Sequence, residues 1–308
     1  ILSAEALGEA GAALEKAKLL WNRSEHFKAI KEAEQWLSLS HTPELRQIAQ
    51  LHPNAKRKSS SSSVPGMQRT TSTPHEELDA KALLLLCKWV SITGQRQPGE
   101  VLSLYDKAIQ RNPNSETAWY RMAKFFDTLF QDSCLRQLGE GHVHEGLGNY
   151  GAAGQYLFQS NGKAKNWVAQ ESKHFLTYLP PAMEGYSKAL RFGHKHIYDC
   201  LPRLLALWFN FGGQNVQNYA NSTSSDCIAR ITAKEQREME HKITCAIKNA
   251  YETLPPHYWL TTFSQLSSRI VQHHRETHEL LRKIFVQVVG EYPQITLWYL
   301  AILLRYGF

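Results

Sequence analysis

The chain has 308 residues, of which 43% are hydrophobic, and its formal net charge is +7. This length allows one large or two ordinary domains with a substantial core, so most of the chain is expected to fold. Five cysteines without a CxxC pair indicate reduced thiols rather than a disulfide framework. Basic and acidic residues alternate along the chain, which favours a solvated surface over a dedicated nucleic-acid site, and no apolar run reaches the about 18–20 residues that a membrane span needs.

Apolar residues recur at helical spacing along almost the whole chain, whereas the alternation expected of strands is hard to find. In the first stretch Leu7, Leu14 and Trp21 share one face, and Ile30 and Leu37 repeat the pattern after a short break. The spacing predicts helices at 4–21, 26–39, a short one from Thr42, then 76–92, 98–111, 115–136, 164–178, 181–192, 195–210, 233–252, 257–271, 274–290 and 294–306.

Composition divides the chain into five segments. Ser, Thr, Pro and basic residues dominate 52–75, which cannot bury enough apolar area and is predicted to be a flexible loop. The predicted order is N-terminal helical hairpins (1–51), the Ser-rich basic loop (52–75), repeats with a Gly-rich loop near 139–162 (76–211), a loop (212–232) and C-terminal helical repeats (233–308). Because the chain begins at Ile1 and stops in an apolar run, we expect it to be a piece of a longer protein.

A repeat boundary is visible in the stretch "VLSLYDKAIQRNPNSETAWYRMAKFFD". The 34-residue tetratricopeptide unit needs large residues where its helices meet, small ones where backbones approach, and a proline after the second helix. The positions that fit this register are Tyr105, Ala108, Pro113, Trp119, Met122, Ala123 and Phe126. Ser115 and Thr117 are candidate caps of the second helix. Tyr186 opens a second Tyr-x-Lys-Ala unit, ahead of an aromatic helix with Trp208.

These patterns predict an all-α fold of stacked antiparallel helical hairpins, a tetratricopeptide/HEAT-like α-solenoid with long surface loops. Each hairpin in such a fold buries a face on its neighbour. The regularly spaced aromatic residues therefore fit a packed core, although lining a peptide groove is the alternative.

A glycine-rich phosphate-binding loop is the first candidate for a functional site. Gly146 to Gly151 spells GxGxxG, but no strand precedes it and no acidic residue closes a βαβ unit, so we interpret it as a flexible loop. The adjacent His142, His144 and Glu145 lack further partners for a metal ion.

Histidine pairs are the second candidate. His274 and His278 stand one helical turn apart, but "HRETH" lacks the general-base glutamate of HExxH and no third ligand is evident. No nucleophile elbow, HRD, DFG or Walker loop occurs. We therefore predict no catalytic, cofactor-binding or metal-ligating residue in this chain.

The last third carries a more specific pattern. A helix with Phe263, Gln265, Leu266 and Arg269 is followed by another helix and then by the turn Pro293-Gln294. Together with "LPRLLALW" and the N-terminal "KAKLLWNRSEHFKAI", this pattern resembles the FAT region of the phosphatidylinositol 3-kinase-related protein kinases. The similarity covers 12–39 and 76–308 and is greatest to the ATR-type DNA-damage checkpoint branch. The target-of-rapamycin, ATM-type and nonsense-decay members share the Gln-Leu-x-x-Arg helix.

The resemblance implies that the parent is a large nuclear serine/threonine kinase whose FAT helices wrap the catalytic domain. This segment would be a scaffold and clamp without catalytic residues of its own. ATP and magnesium would bind in the kinase domain, outside these residues. The implied partners are that kinase domain and a regulatory protein subunit of the checkpoint kinase, with a homodimer of the complex as a further candidate. No direct contact with nucleic acid or membrane is implied.

The expected core follows from the same register. It comprises Trp119, Phe126, Tyr186, Trp208, Phe263, Leu266 and Trp298. Gln265 and Arg269 are expected to make buried polar contacts, and Glu291 is a candidate partner of Arg269, since an unpaired buried charge costs several kcal/mol.

Two other functions remain open on the sequence. A free-standing tetratricopeptide adaptor would hold a peptide or protein partner and would end in a polar capping helix. A helical nucleic-acid reader would use two or three side chains per repeat to contact each base.

Overall fold

The computed structural model describes residues 2–40, 74–146, 175–211, 233–269 and 275–306. Within these ranges every regular element is helical, which confirms the predicted all-α class. The α-helices are α1 Leu2–Asn22, α2 His26–Ser40, α3 Pro74–Thr93, α4 Pro98–Arg111, α5 Glu116–Gly146, α6 Leu179–Phe192, α7 Ile197–Phe211, α8 Ala233–Thr253, α9 Pro256–Leu260, α10 Phe263–Ser267, α11 Arg275–Glu291 and α12 Pro293–Tyr306. A 3₁₀ helix at Phe175–Tyr178 leads into α6. Among the described helices, none is long and apolar enough to cross a membrane.

The helices form two compact units, one containing α1 to α4 and the other beginning at Trp119, in the first turn of α5. Composition did not indicate this boundary, which falls inside the predicted repeat segment 76–211. The five predicted segments themselves stay a prediction.

The first unit is built from helical hairpins. Three residues connect α1 to α2, and such a short connection favours antiparallel neighbours. Ser24 in this turn has φ 65°, a left-handed conformation that is uncommon outside glycine. Trp21 stacks on Trp89 of α3, with ring centroids 5.1 Å apart, so the end of α1 is fixed against α3. Arg96 adds an ion pair with Glu34 of α2.

The sequence of α4 accounts for where the helix begins and which of its faces is buried. Pro98 stands at the first helical position, where its missing N–H leaves no bond unmade. The buried stripe of α4 falls at three- and four-residue steps and comprises Val101, Leu104, Tyr105 and Ala108. After the helix ends, Ser115 accepts a hydrogen bond from the Ala118 N–H at 3.3 Å and so caps α5, as predicted. Thr117 lies inside α5.

The second unit has its core where α6, α7 and α8 meet. α6 packs on both α7 and α8, and α9 and α10 connect this group to α11 and α12. The largest side chains with almost no exposed surface include Trp208 of α7, Trp259 of α9 and Phe263 of α10. At about 25 cal/mol per Å² of apolar surface, burial of such aromatic side chains dominates the stability of the unit.

The predicted helix at 257–271 is wrong, because the chain forms two short helices there, α9 and α10. Thr261 and Thr262 separate them. Their hydroxyl groups donate to the carbonyl oxygens of Tyr258 (2.7 Å) and Trp259 (3.2 Å), offering the backbone an alternative to helix continuation. Thr262 accordingly leaves the helical region, with φ −121° and ψ 17°.

Two predicted loops overlap with helices of the structure. α5 continues to Gly146, so the first eight residues of the Gly-rich segment 139–162 are helical, and the rest lie outside the described residues. Extending an existing helix is cheap, and each glycine weakens it by only about 1 kcal/mol relative to alanine. The short helix predicted from Thr42 and almost all of the Ser-rich loop also lie outside the described residues; only the end of that loop is described, as the start of α3 at Pro74.

Candidate functional site

The tetratricopeptide signature residues occupy the helices in which they were expected. Tyr105 and Ala108 are buried in α4, and Pro113 is exposed in the turn that follows. In α5, Met122 and Ala123 are buried. Their repeat role itself stays a prediction.

The two aromatic positions of α5 are less buried than predicted. Trp119 and Phe126 are half-buried, whereas the neighbouring Phe125 is buried. The Lys188 amine of α6 lies 4.3 Å from the centroid of the Trp119 ring, a cation–π contact on one face of the indole. A one-residue step rotates a helical side chain by about 100°, which moves Phe125 rather than Phe126 into the core.

The backbones of α5 and α6 approach closely at Gly185. A Cβ atom added at Gly185 would lie 2.9 Å from the Cβ of Ala123, closer than carbon atoms pack. This pair of small residues therefore sets the separation of the two helices.

A buried polar cluster joins three helices of the second unit; we call it the clamp, and it consists of Asp127 (α5), Tyr186 (α6) and Arg203 (α7). The Arg203 guanidinium donates two hydrogen bonds to the Asp127 carboxylate, from Nε to Oδ2 at 2.7 Å and from Nη2 to Oδ1 at 2.6 Å. The Tyr186 hydroxyl donates to Oδ2 at 3.0 Å. Gln131, one turn along α5, donates to Oδ1 at 3.1 Å.

The two charges of the clamp compensate each other, as buried charges must. The side chains of Asp127 and Arg203 are 7% and 15% exposed, so neither ion is well solvated. A bidentate carboxylate–guanidinium pair supplies both charge compensation and direction. Because losing either partner leaves the other charge buried, the three helices are held in one register.

The environment of the clamp also acts on Tyr186. Burial, and then the nearby Asp127 carboxylate, raise the pKa of Tyr186 well above its usual value of 10.0. The phenol is therefore neutral at physiological pH and acts as a hydrogen-bond donor. The cluster contains no reacting group placed against an open site, so its chemistry is structural.

A second polar cluster lies nearer the surface, around Tyr120 of α5. Its ring stacks on His196 with centroids 4.0 Å apart, and its hydroxyl donates to Asp199 Oδ2 at 3.2 Å. Burial, and then the Asp199 charge, raise the pKa of Tyr120 to about 12. These contacts add a second connection between α5 and the start of α7.

The C-terminal signature is only partly buried. Phe263 and Leu266 are core residues, as predicted, and Gln265 donates from Nε2 to the Pro202 carbonyl oxygen of α7 at 3.2 Å. Arg269, however, is exposed, which contradicts the expected buried polar contact, for which Glu291 was the candidate partner. The helix break at Thr261 and Thr262 explains the error, because the periodicity of one long helix no longer applies beyond it.

The turn and the last helix are exposed as well. Pro293 and Gln294 lie at the surface, and Trp298 is 74% exposed, so the prediction that Trp298 is a core residue is wrong for the described part of the chain. Tyr186 and Trp208 are buried as expected.

An open groove of about 730 Å³ runs between α6 and α8. Its floor includes the buried Met239 and Ala246, and both acidic and basic residues line it. The charged lining residues are Glu184, Lys188, Arg191, Glu235, Glu238 and Lys242. A groove of this kind suits an amphipathic segment better than a single small anion.

The histidines singled out in the sequence are not gathered into a site. His278 is exposed on α11, whereas His273 and His274 lie outside the described residues. His142, His144 and Glu145 fall in the last turns of α5, and Gly146 ends it. The described part of the chain contains no group of three potential metal ligands.

Sequence reasoning missed Asp127 and Arg203. A signal for both was present, since each charged residue stands among apolar neighbours, Phe125 and Phe126 in one case and Leu201 and Leu204 in the other. What the sequence did not contain was the pairing, because 76 residues separate the two side chains.

Family models match most of the chain. A model described as the FAT domain matches residues 2–206, and one described as "Serine/threonine-protein kinase ATR-like, HEAT repeats" matches residues 242–306. The two matches together contain every residue of the clamp and both C-terminal helices.

Curated relatives are similar over almost the whole chain. The serine/threonine-protein kinase ATR of Oryza sativa subsp. indica is 32% identical over 305 residues, which is 98% of this chain and 10% of the relative. The protein of the same description from Arabidopsis thaliana is 31% identical over 314 residues, with the same coverage of each chain. Protein kinase rad3 of Schizosaccharomyces pombe is 23% identical over 302 residues, 97% of this chain and 11% of the relative. The chain thus spans about a tenth of the length of these relatives.

Proposed function

This chain belongs to the FAT region of the ATR-type serine/threonine-protein kinases, and we propose that it serves there as a non-catalytic helical scaffold. In this role it supports and regulates the kinase domain of a large nuclear kinase during DNA-damage checkpoint signalling. The FAT-domain match over residues 2–206 carries the proposal, since it covers the clamp.

The geometry supports a mechanical role. Stacked helical hairpins transmit small rotations from one repeat to the next, provided that neighbouring helices keep a fixed register. The clamp and the close contact of Gly185 with Ala123 fix that register for α5, α6 and α7. Displacement of one helix therefore has to move the others.

The chemistry of phosphoryl transfer belongs to another part of the parent protein in this proposal. ATP and magnesium are assigned to its kinase domain, and no residue of this chain is assigned to either. The proposed partners are protein surfaces: the kinase domain itself, a regulatory protein subunit and a second copy of the complex. Nuclear localisation is part of the same proposal.

The test uses the purified parent kinase with Gly185→Val. The valine side chain forces α5 and α6 apart, so we expect a loss of the activity that the regulatory subunit stimulates, with the KM for ATP unchanged. Gly290→Val is the matched control, because a Cβ there meets no atom within 4 Å. Stimulated activity equal to that of the unmodified kinase would contradict the regulatory role. ATP binding by the isolated 308-residue chain would contradict its assignment as a non-catalytic segment.

A free-standing helical adaptor is the second candidate, and the groove between α6 and α8 favours it. The mass of the native protein separates the two. A polypeptide about ten times longer than this chain, with a kinase catalytic loop, supports the scaffold; a mass near 35.2 kDa supports the adaptor.

A further inference from the structure

We propose that the groove between α6 and α8 binds an acidic amphipathic helix of a protein partner. The apolar side chains of that helix lie in the groove, and its carboxylates face the cations of α8. All lining residues belong to the second unit. The inference goes beyond the scaffold role, because it names a binding surface and the chemistry of the segment that occupies it.

The length of the groove fits a helix better than a small molecule. Its lining residues on α8 run from Glu235 to Thr253, which span about 27 Å along the helix axis at 1.5 Å per residue. A partner helix of about 18 residues has the same length. Because the groove is open, such a helix can bury one face and leave the other in water.

The floor of the groove is apolar. Met239 and Ala246 stand seven residues apart on α8, so both lie on the same side of that helix, and both are buried. Pro180 and Pro181 add apolar surface from the first turn of α6. Methionine adapts its shape to different side chains and is common at surfaces that bind helices. This floor suits apolar side chains that recur at three- and four-residue steps in the partner.

The lining of the groove is electrically neutral. It contains three acidic and three basic side chains, and Glu184 pairs with Lys188 of the next turn at 2.7 Å. Nucleic acids owe much of their affinity for proteins to phosphates that lysine and arginine neutralise. The three carboxylates of the lining repel phosphates, which favours a protein segment over a nucleic acid.

The exposed face of α8 beside the groove determines the charge of the partner. It carries the exposed cations Lys234, Arg237 and Lys248, and the acidic Glu252 follows one turn after Lys248. Spacings of three and eleven residues keep the three cations on one side of the helix. Within the described residues none of the three forms an ion pair. Carboxylates of the partner are therefore attracted to this face, whereas a basic segment is repelled.

The test measures binding of a fluorescein-labelled peptide of about 18 residues to the full-length parent kinase. The peptide has leucine at three- and four-residue steps, with glutamate and alanine on its other faces. The matched control peptide has lysine in place of every glutamate. Fluorescence anisotropy is expected to show saturable binding of the glutamate peptide that weakens as salt is added, and at least about tenfold weaker binding of the lysine peptide.

Charge reversal on α8 locates the binding. Lys234→Glu combined with Arg237→Glu turns two attractions into repulsions, so the Kd of the glutamate peptide is expected to rise about tenfold. Lys81→Glu combined with Lys88→Glu makes the same charge change at two exposed positions of α3. In this control variant the Kd is expected to change by less than about twofold. All four positions are exposed, so neither variant disturbs the core.

Cys245 reports whether the peptide occupies the groove itself. Its thiol lines the groove and is partly exposed, whereas Cys87 and Cys200 are buried and show whether the fold stays intact. A saturating concentration of the glutamate peptide is expected to slow the alkylation of Cys245 by N-ethylmaleimide several-fold. Mass spectrometry of the digested protein measures the modified fraction at each cysteine.

Five results would overturn the proposal. They are no binding of the glutamate peptide, equal binding of the lysine peptide, equal Kd values for the α8 and α3 variants, unchanged alkylation of Cys245, and equal protection of Cys245 by a single-stranded oligonucleotide. The last result would assign the groove to nucleic acid. Because these readouts do not use kinase activity, they can fail while the regulatory role passes its own test with Gly185→Val.

Discussion

Arg203 and Arg269 both stand among apolar residues in the sequence, but only Arg203 is buried in an ion pair. Both were available to make a buried ion pair, and the physical requirement for a carboxylate partner is the same for each. Arg203 meets it, through the bidentate contact with Asp127. Arg269 avoids it, because the chain leaves the helix and exposes the side chain. The rule that a buried arginine needs a carboxylate partner was correct, but it applies to Arg203 and not to Arg269, for which we had predicted it.

Loss of one clamp partner should strongly destabilise the folded chain. Arg203→Met leaves the Asp127 carboxylate buried without its counter-ion, and we expect the free energy of unfolding to fall by about 3–5 kcal/mol. Urea unfolding followed by circular dichroism measures this. The comparison is Arg275→Met, which removes an ion pair whose side chains are 90% and 59% exposed and should cost less than about 1 kcal/mol. Equal losses in the two variants would contradict the clamp.

Because the Tyr186 phenol is buried in its neutral form, we expect the free energy of unfolding to decrease at alkaline pH. Its pKa is raised well above 10.0 by burial and by Asp127, whereas in the unfolded chain it titrates near its usual value. Above pH 10 the unfolded chain therefore binds fewer protons than the folded one, and stability falls as pH rises; below pH 10 the contribution is fully present. Tyr120, with a pKa raised to about 12, adds a component that is lost between pH 10 and 12.

Tyr186→Phe tests this dependence. We expect a flatter decline of stability above pH 10 and, near pH 7, a loss of about 1.5–3 kcal/mol for the hydrogen bond to a charged acceptor. Tyr120→Phe provides the comparison, and should remove only the component between pH 10 and 12. An unchanged alkaline slope in Tyr186→Phe would show that the phenol is not a buried donor.

At the scale of helices, the separation of α5 and α6 depends on two small side chains. Gly185 has no helix-terminal or left-handed role, so its value lies in the contact with Ala123. Small residues at such crossings let backbones approach, which brings the larger neighbours of both helices into the same core.

Gly185→Ala should accordingly destabilise the second unit. The added methyl group overlaps the Ala123 side chain, and overpacking of this kind costs about 1–3 kcal/mol. Gly290→Ala in α11 adds the same atoms to open space and should change stability by no more than about 1 kcal/mol, in the favourable direction. Thermal unfolding of both variants measures the difference, and a Gly185→Ala protein as stable as the Gly290→Ala protein would exclude a tight crossing.

At the scale of the whole chain, an apolar surface on α12 accompanies the absence of a polar capping helix among the described helices. An adaptor that folds by itself needs a polar outer face at each end of its stack. The exposed apolar residues of α12, which are Ile295, Leu297, Trp298 and Tyr299, do not provide one.

The isolated 308-residue chain should therefore self-associate. Sedimentation velocity at increasing protein concentration is expected to show a rising apparent mass, because large apolar side chains of α12 are exposed in the isolated chain. Trp298→Arg should reduce the association, whereas Tyr198→Arg, at an equally exposed aromatic position, should reduce it less. A mass that stays near 35.2 kDa at all concentrations would contradict this prediction.

The sequence by itself determined the all-helical class, the ends of most helices and the family. These features are local: apolar residues at three- and four-residue steps, Pro98 at a helix start and Ser115 at a cap are legible without knowing what packs against them. Only the tertiary structure decided which charges are buried, because the Asp127–Arg203 pair joins positions 76 residues apart. It also decided that the helix near 257–271 breaks at two threonines and that Trp298 is exposed. Whether a residue is buried depends on which other part of the molecule packs against it. The spacing of apolar residues shows only that one face of a helix is apolar, not what covers that face.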